Sequence, residues 1–508
     1  MKTVLKLDKD SNTDVLGFDA KLLNLSNTII TPILCKMFNA SILSCIMPED
    51  WKLARVSPVY KGKGDKQDKG NYRPISVICH IGKVFEIQVH NQLLQYFQEN
   101  NYINIDQSAY LKYHNTQTAL HRVTDDWIDN MCHKLFTGIC SLDIKKCFDT
   151  IDHEILLRKL EYYGLHNNEL SWFKSYLYNR SQIVRCNGEI SDVKTVNIGV
   201  PQGSVLGPLL FLIFVNDISQ HIYTGTTSLY ADDTLIYCDG KNVVDVNTKL
   251  QKCIDDVSKW YVGNNIVINA SKSCTMLVKP KLNRDNEMFT VNINEEELEN
   301  VHTLTYLGVD IDDCMSWNDQ IKKTCKNLAC KVSKLSRLAK TVPDEILLKL
   351  YNSGIQPCID YAITVWGSTT MSNVNKVQRL QNFAARVIKR NFDFVNTRGI
   401  ELVKQLGWMN VKQRFLYFQN LTIFKCIHGL APTHLVNNVT MEIEISNIRT
   451  RKHPMNLHVP LPINETHKRM LFYRGAKSWN QLPSDIKDCY DMRIFKQKLK
   501  YYIKNQSL

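Results

Sequence analysis

Two adjacent carboxylates, Asp232 and Asp233, stand between two short segments that are typical of β-strands. The flanking residues 228–230 and 234–238 include the β-branched and aromatic side chains that strands favour. A tight turn between them would hold both acids at its tip, where their negative charges repel each other. A divalent cation relieves that repulsion, so the pair predicts a metal site. An Asp-Asp pair in a solvated turn is common, and the prediction therefore depends on a third acid.

That third acid is Asp143, which ends an apolar strand predicted over residues 137–143. Three carboxylates at neighbouring strand ends can hold two Mg²⁺ ions, which clamp the attacking and leaving oxygens of an in-line phosphoryl displacement. We expect Asp143 and Asp232 to bind both ions and Asp233 to be a weaker or outer ligand, with Mn²⁺ as an alternative metal. Taken alone, Asp143 is more simply interpreted as an aspartate at the start of a helix.

Composition sets the class of protein. The chain has 508 residues, enough for two or three domains or subdomains, and its 44% hydrophobic and 22% charged residues are typical of a globular protein. It has no apolar run of membrane-spanning length and no signal-peptide core at the N-terminus, so we expect an intracellular protein of the nucleus, the cytoplasm or both, with no membrane partner. Its sixteen cysteines are scattered, which predicts free thiols and neither a disulfide framework nor a zinc site.

The net charge of +13 favours a polyanionic partner. Between residues 321 and 340 the sequence carries seven cations and no acid, while apolar residues, Leu338 among them, recur at helical spacing. This pattern predicts an amphipathic helix with a basic outer face, and a solvated lysine face is the alternative interpretation. A second basic segment without acids covers residues 376–390. The candidate nucleic-acid contacts on the first segment are Lys322, Lys323, Lys326, Lys334 and Arg337.

Short strands and helices alternate in the first half without a simple βαβ rhythm, which predicts an α+β fold. Helices are predicted over residues 81–99, 116–134, 152–163 and 169–178, and residues 1–50 as mostly helical. Asn187-Gly188 predicts a hairpin turn, and Pro208 is expected to open an apolar helix that reaches about Ser219. Long amphipathic helices follow residue 313, with a weaker boundary near residue 395.

Several longer motifs carry a resemblance to a known family. Residues 141–153 and 230–234 resemble the first and third palm motifs of reverse transcriptases, and residues 199–211 with Asn216-Asp217 resemble the second. Residues 72–76 and 83–86 are similar to the fingers signature of polymerases from non-LTR (LINE-type, jockey-like) retrotransposons. The likeness continues in order through residues 306–309, 316–317 and 361–367. It covers nearly the whole chain.

The resemblance implies a right-hand polymerase. Residues 1–50 would extend the fingers, 51–312 would form fingers and palm, 313–395 a basic helical thumb, and 396–508 a C-terminal region of unclear role. The implied activity is that of an RNA-directed DNA polymerase, which extends a DNA primer 3′-hydroxyl on an RNA template with dNTPs and Mg²⁺. An inactive or domesticated remnant that binds nucleic acid without polymerising is the alternative. An RNA-templated RNA polymerase is disfavoured because a ring at Phe148 should exclude ribonucleotides. The sequence does not indicate an oligomeric state.

The resemblance also assigns nucleotide-binding roles. Phe148 would be the steric gate below the sugar, and Gln202 and Gly203 would approach the incoming nucleotide and template. Lys61 and Arg73 would grip the triphosphate, and Lys272 would protonate or neutralise the departing pyrophosphate. A core phenylalanine and exposed lysines are the alternative interpretations of these residue types.

The chain departs from the family pattern at two of these motifs. Leu111 replaces an arginine expected in the fingers, and Cys147 replaces the usual alanine. Elements of this type normally carry an endonuclease before the polymerase, and residues 1–50 have no room for one, so we expect this chain to be the polymerase and C-terminal portion of a longer element protein.

Overall fold

The computed structural model describes residues 13–280, 287–445 and 453–506. Helices and strands are interspersed along this part of the chain, which confirms the α+β class. The chain forms two compact units by its internal contacts, one of Met1–Tyr110, Leu142–Thr234 and Lys252–Ser273, and one of Leu111–Ser141, Leu235–Gln251 and Cys274–Leu508. The first twelve residues of the predicted helical N-terminal region lie outside the described residues. The sequence divisions at residues 50, 312 and 395 stay predictions.

The α-helices of the described residues are, in chain order, α1 (Ala20–Leu25), α2 (Asn27–Ser44), α3 (His80–Glu99), α4 (Thr116–Cys132), α5 (His153–Tyr162), α6 (Asn167–Leu177), α7 (Leu206–Val215), α8 (Val243–Gly263), α9 (Asn318–Leu338), α10 (Asp344–Leu350), α11 (Gln356–Asp360), α12 (Ile363–Trp366), α13 (Met371–Lys389), α14 (Gly399–Gln405), α15 (Val411–Ile427), α16 (Thr433–Val436), α17 (Glu442–Ile445), α18 (Leu471–Asn480), α19 (Ser484–Lys487) and α20 (Met492–Asn505). The strands are β1 (Leu53–Tyr60), β2 (Tyr72–Ile78), β3 (Phe136–Leu142), β4 (Arg180–Cys186), β5 (Glu189–Ile190), β6 (Lys194–Val196), β7 (Thr226–Tyr230), β8 (Asp233–Gly240), β9 (Cys274–Val278), β10 (Asn292–Ile293), β11 (Glu296–Glu297), β12 (Glu299–Asn300), β13 (Thr303–Tyr306) and β14 (Val309–Asp312).

A five-stranded sheet organises the first unit. Its strand order is β2-β1-β4-β5, with β6 also paired to β4. β1 and β2 are antiparallel, whereas β1 and β4 run parallel. The β4–β5 turn is formed by Asn187 and Gly188, both with positive φ (53° and 94°), as the Asn-Gly pair predicts.

The start of α7 in the first unit depends on a buried carboxylate of α3. Glu86 is 1% exposed, and its Oε2 accepts hydrogen bonds from the backbone N–H groups of Val205 (2.6 Å) and Leu206 (3.1 Å). Free N–H groups at a helix start favour a negative partner. The helix therefore begins at Leu206, before the Pro208 that was expected to open it, and it ends at Val215.

Glu86 has two further partners in the first unit. The Tyr176 hydroxyl donates to Oε1 over 3.1 Å. Burial raises the pKa of Glu86, and the nearby Arg180 guanidinium, itself 2% exposed, partly offsets that rise. The fingers signature and the second palm motif are thus joined by one fully enclosed acid.

In the second unit, β9 pairs antiparallel with β3, β12 pairs parallel with β9, and β8 is the other neighbour of β3. The helices contribute a large apolar core that includes Trp127, Trp317 and Trp366, each at most 1% exposed. The buried residues of α9 include Ile321, Leu328, Val332 and Leu335, which confirms the amphipathic pattern for them. Leu338 is 42% exposed, so its predicted core position is wrong; it is the last residue of α9.

The C-terminal helices of the second unit are tied together by Arg474 of α18. Its guanidinium donates to the carbonyl oxygen of Thr364 in α12, to Oε1 of Gln419 on α15 (2.7 Å) and to the carbonyl oxygen of Arg469 (2.8 Å). A buried arginine is stable only when its donors are satisfied in this way. None of the helices among the described residues has the length and apolarity needed to cross a bilayer.

Candidate active site

The turn that carries Asp232 and Asp233 is fixed from outside the hairpin. β7 ends at Tyr230 and β8 begins at Asp233, with Ala231 between them at a φ of 55°. The backbone N–H of Ala231 donates to Oε1 of Gln107 over 3.2 Å, and Gln107 is 3% exposed. The same oxygen accepts from the backbone of Ala109 (2.8 Å), so one buried amide holds the turn and the neighbouring loop in register.

Asp143 follows β3 directly and is held by a second segment of the first unit. The backbone N–H of Asn269 donates to the carbonyl oxygen of Asp143 over 2.8 Å, and the N–H of Lys145 donates to the carbonyl oxygen of Val267 over 3.0 Å. The side chain of Asn269 reaches Oδ2 of Asp143 (2.7 Å). The exposed Lys272 places its ammonium 3.9 Å from the same oxygen.

Electrostatics link the three acids. Lost hydration, and then the negative charges of Asp232 and Asp143, raise the pKa of Asp233 to about 6, although part of its side chain remains exposed. Three neighbouring carboxylates form a hard, all-oxygen donor set of the kind Mg²⁺ and Mn²⁺ prefer. If one oxygen is taken from each carboxylate, the three oxygens do not all lie within 4.8 Å of one another, so the three side chains are spread apart. A cation that binds two of them would remove the repulsion that this arrangement carries.

Cys147 adds a neutral donor beside Asp232. Burial and the adjacent Asp232 carboxylate raise the pKa of the Cys147 thiol above its ordinary value, and the thiol hydrogen-bonds to that carboxylate. The thiol therefore stays protonated and brings no further negative charge to the carboxylate cluster. The departure from alanine at this position changes the environment of Asp232 and leaves the carboxylates in place.

Three of the residues expected to bind nucleotide, Phe148, Gln202 and Gly203, lie in or beside the glycine turn before α7. The Phe148 ring stacks on Phe211 of α7, with ring centres 4.9 Å apart. Gln202 donates from Nε2 to Oδ1 of Asp149 over 2.9 Å, and its carbonyl oxygen accepts from the N–H of Ser76 over 2.7 Å. The fingers strand β2 thus contacts the Pro-Gln-Gly turn through its backbone.

Gly203 has no room for a side chain. Its φ is 127°, and a Cβ atom there would lie 2.4 Å from the carbonyl oxygen of Ser76. That contact involves backbone atoms on both sides, so neither partner can rotate away. The glycine in this motif is required by the approach of β2.

Of the two expected triphosphate contacts, Arg73 lies on β2 and Lys61 lies in the loop before that strand. Arg73 is exposed on β2, opposite Val59 of β1. Lys61 donates from Nζ to the carbonyl oxygen of Gly70 (2.8 Å), and its charge lowers the pKa of Asp149, which burial raises overall. Lys61 is therefore electrostatically coupled to the carboxylate that orients Gln202.

The candidate nucleic-acid contacts all lie on the exposed side of α9, in the second unit. Lys322 pairs with Asp319 (2.9 Å), and Lys323 pairs with Asp310 (2.6 Å), so these two charges are partly neutralised within the protein. Within the described part of the chain, the other three have no acid within salt-bridge distance; they are Lys326, Lys334 and Arg337.

Another group of possible metal ligands, Asp312, Asp313 and Cys314, lies in the second unit. The Asp312 carboxylate already accepts from the backbone N–H groups of Ser316 (2.8 Å) and Trp317 (2.6 Å), in the turn just before α9. These bonds account for the position of Asp312 without an ion.

Sequence reasoning missed four residues that shape this site: Asn269, Gln107, Glu86 and Asp149. Each acts on a residue far away in the sequence, so no local pattern marked its role. Glu86 and Asp149 belong to motifs that the sequence did single out, residues 83–86 and 141–153. That membership was the one signal available.

Comparison with known proteins identifies the class. Residues 63–311 match the family model of reverse transcriptases, the RNA-dependent DNA polymerases. The chain is 28% identical over 471 residues to the RNA-directed DNA polymerase from mobile element jockey of Drosophila melanogaster, covering 89% of this chain and 50% of that protein. It is 30% identical over 376 residues to the jockey polymerase of Drosophila funebris (72% and 40%), and 28% identical over 367 residues to the probable polymerase from transposon X-element of Drosophila melanogaster (69% and 39%).

Residues 63–311 carry a reverse transcriptase domain. The domain match and these relatives together support a jockey-like reverse transcriptase of the non-LTR type. It spans about half the length or less of the curated relatives it matches.

Proposed function

We propose that this chain is an RNA-directed DNA polymerase that extends a DNA 3′-hydroxyl on an RNA template with dNTPs. The observation that carries the proposal is the placement of Asp143 and the Asp232-Asp233 pair at the ends of the neighbouring strands β3 and β8. The family match over residues 63–311 supports the same reaction. The relatives' printed names describe RNA-directed DNA polymerases of mobile elements.

Asp143 and Asp232 would hold Mg²⁺, with Asp233 as an outer ligand and Mn²⁺ as a substitute. The bound metal would lower the pKa of the primer hydroxyl and neutralise charge on the leaving pyrophosphate. The protein's own contribution is to hold these carboxylates with buried amides, Gln107 for the turn and Asn269 for Asp143. Preorganised ligands need no rearrangement when the reaction begins.

Selection of the nucleotide would rest on Phe148 and Gln202. Phe211 supports the Phe148 ring from behind, so the ring cannot easily move away from a 2′-hydroxyl. The Gln202 amide is oriented by Asp149, and Gly203 lets Ser76 of β2 pack against the turn that would face the incoming nucleotide. Lys61, Arg73 and Lys272 would compensate the charge of the triphosphate and of the departing pyrophosphate.

The template and primer would be held through their phosphates. Lys326, Lys334 and Arg337 of α9, which have no acid partner among the described residues, are the better candidates for this contact, because Lys322 and Lys323 already pair with acids. Such contacts position a duplex without reading its sequence. An RNA template, a DNA primer and dNTPs are therefore the partners that we propose.

Primer extension tests the proposal. Purified protein is given an RNA template with an annealed DNA primer, dNTPs and Mg²⁺, and elongated DNA is measured. We expect template-dependent products that disappear with EDTA and return when Mg²⁺ or Mn²⁺ is added in excess. Binding of the primed template without any elongation would overturn the proposal and favour the inactive remnant.

Replacement of Phe148 by alanine tests the sugar gate. Removing the ring should increase the ratio of rNTP to dNTP incorporation about 10–200-fold, the range for filling or emptying a steric pocket. Competition between labelled rNTP and dNTP measures the ratio. Phe392→Ala, which removes an exposed ring from the second unit, is the control and should leave the ratio unchanged. Efficient use of rNTPs by the wild type, with no increase in the variant, would support an RNA polymerase.

A further inference from the structure

We propose that Asn269 is the positioning residue of Asp143, and that its side-chain amide sets the orientation in which Asp143 binds metal. The inference rests on the proposed function, since it assigns Asp143 to the metal. Asn269 belongs to neither the carboxylate cluster nor the nucleotide-binding set. It is 8% exposed, whereas Asp143 keeps 43% of its side chain exposed.

The contact between the two residues is direct and short. The Nδ2 of Asn269 donates to Oδ2 of Asp143 over 2.7 Å. Among the described residues no donor reaches Oδ1 of Asp143, so the two carboxylate oxygens differ in their partners. A hydrogen bond to one oxygen of a metal ligand fixes the torsion of the carboxylate and leaves the other oxygen for the ion.

The orientation of the Asn269 amide is itself determined. The Ser271 hydroxyl donates to Oδ1 of Asn269 over 3.0 Å. An amide oxygen can only accept, so this bond directs the NH₂ group towards Asp143. Ser273 completes the unit, because its hydroxyl donates to the carbonyl oxygen of Asn269 (3.0 Å) and accepts from the backbone N–H of Asp143 (3.1 Å).

A backbone hydrogen bond also joins these two residues, so the side-chain amide can be removed while their two segments stay paired. The N–H of Asn269 donates to the carbonyl oxygen of Asp143 over 2.8 Å, and an alanine at position 269 would keep that bond. Asn269→Ala therefore removes the side-chain contact and leaves the pairing of the two segments. The lost contact frees the rotation of an exposed carboxylate.

The neighbouring Lys272 does not replace this function. Its ammonium lies 3.9 Å from Oδ2 of Asp143, beyond hydrogen-bond distance, and its side chain is 70% exposed. A mobile cation compensates charge but does not select a torsion. Asn269 thus orients the Asp143 carboxylate, and Lys272, three positions further along the chain, compensates its charge.

The test measures metal binding as well as extension. For Asn269→Ala we expect the Mn²⁺ dissociation constant, followed by the EPR signal of free Mn²⁺ in the absence of nucleic acid, to rise about 10–100-fold, the range for loss of such a supporting bond. The Mg²⁺ concentration for half-maximal extension should rise with it, and high Mg²⁺ should restore part of the rate. The thermal unfolding midpoint should stay close to that of the wild type.

A matched control uses an equivalent amide elsewhere in the first unit. Asn265 donates from Nδ2 to Oδ2 of Asp152 over 2.9 Å, and its φ of 56° tolerates glycine. Asn265→Gly should leave Mn²⁺ binding and the Mg²⁺ dependence unchanged. Wild-type affinity and Mg²⁺ dependence in Asn269→Ala would overturn the positioning role while the polymerase function stands. Absence of extension by the wild type would instead overturn the proposed function.

Discussion

Asp232→Asn is expected to reduce primer extension at least about a thousandfold, which corresponds to about 4 kcal/mol of activation free energy. The substitution removes one of the two carboxylates expected to bind both ions and keeps the shape of the side chain. It also removes a charge that raises the pKa of Asp233. Extension of a primed RNA template under single-turnover conditions measures the loss.

The folded state should not suffer from this change. Asp232 is exposed and repelled by its neighbours, and an asparagine can still accept from the Cys147 thiol. We therefore expect a thermal unfolding midpoint equal to or slightly above that of the wild type. Asp192→Asn makes the same chemical change in the exposed loop between β5 and β6 and should extend normally. Equal extension by Asp232→Asn and the wild type would contradict the assignment of the site.

The second large effect concerns Glu86. Glu86→Ala should destabilise the protein by about 3–5 kcal/mol, the range for removing one partner of a buried charged group. It leaves the N–H groups of Val205 and Leu206 without an acceptor and the buried Arg180 without its nearby negative charge. The drop in the thermal unfolding midpoint measures the effect. Glu99→Ala at the exposed end of α3 is the control and should cost less than about 0.5 kcal/mol.

Glu86→Gln separates hydrogen bonding from charge. A glutamine oxygen can accept from both N–H groups, because both donate to Oε2 in the wild type, and its NH₂ group can donate to the Tyr176 hydroxyl. We expect less than half the destabilisation of Glu86→Ala. An equally large loss in both variants would show that the carboxylate charge, and not the cap, stabilises α7.

The stability difference between the wild type and Glu86→Gln should depend on pH. Burial raises the pKa of Glu86 in the folded state, so the folded protein binds a proton that the unfolded chain has released. The wild type should therefore lose stability relative to Glu86→Gln as pH rises above the ordinary glutamate pKa. Unfolding midpoints of both proteins at pH 5 and pH 8 test the sign.

Local patterns predicted what depends on local chemistry. The Asn187-Gly188 turn, the strand leading to Asp143 and the buried stripe of α9 all follow from residue types a few positions apart. The α7 start was misplaced because Pro208 is a local signal, whereas the cap that fixes the helix comes from Glu86, 119 residues away. Gln107 and Asn269 were missed for the same reason. Their partners lie 124 and 126 residues away in the chain.

These long sequence separations have a consequence during translation. A ribosome adds about 5–20 residues per second, so about 6–25 s pass between the synthesis of Asp143 and that of Asn269. For that interval the nascent polypeptide has Asp143 without the amide that orients it. A product released prematurely between residues 234 and 268 would contain all three acids and still lack this support. Such a product would also lack β9, the antiparallel partner of β3, so the strand that leads to Asp143 depends on residues made well after the acids themselves.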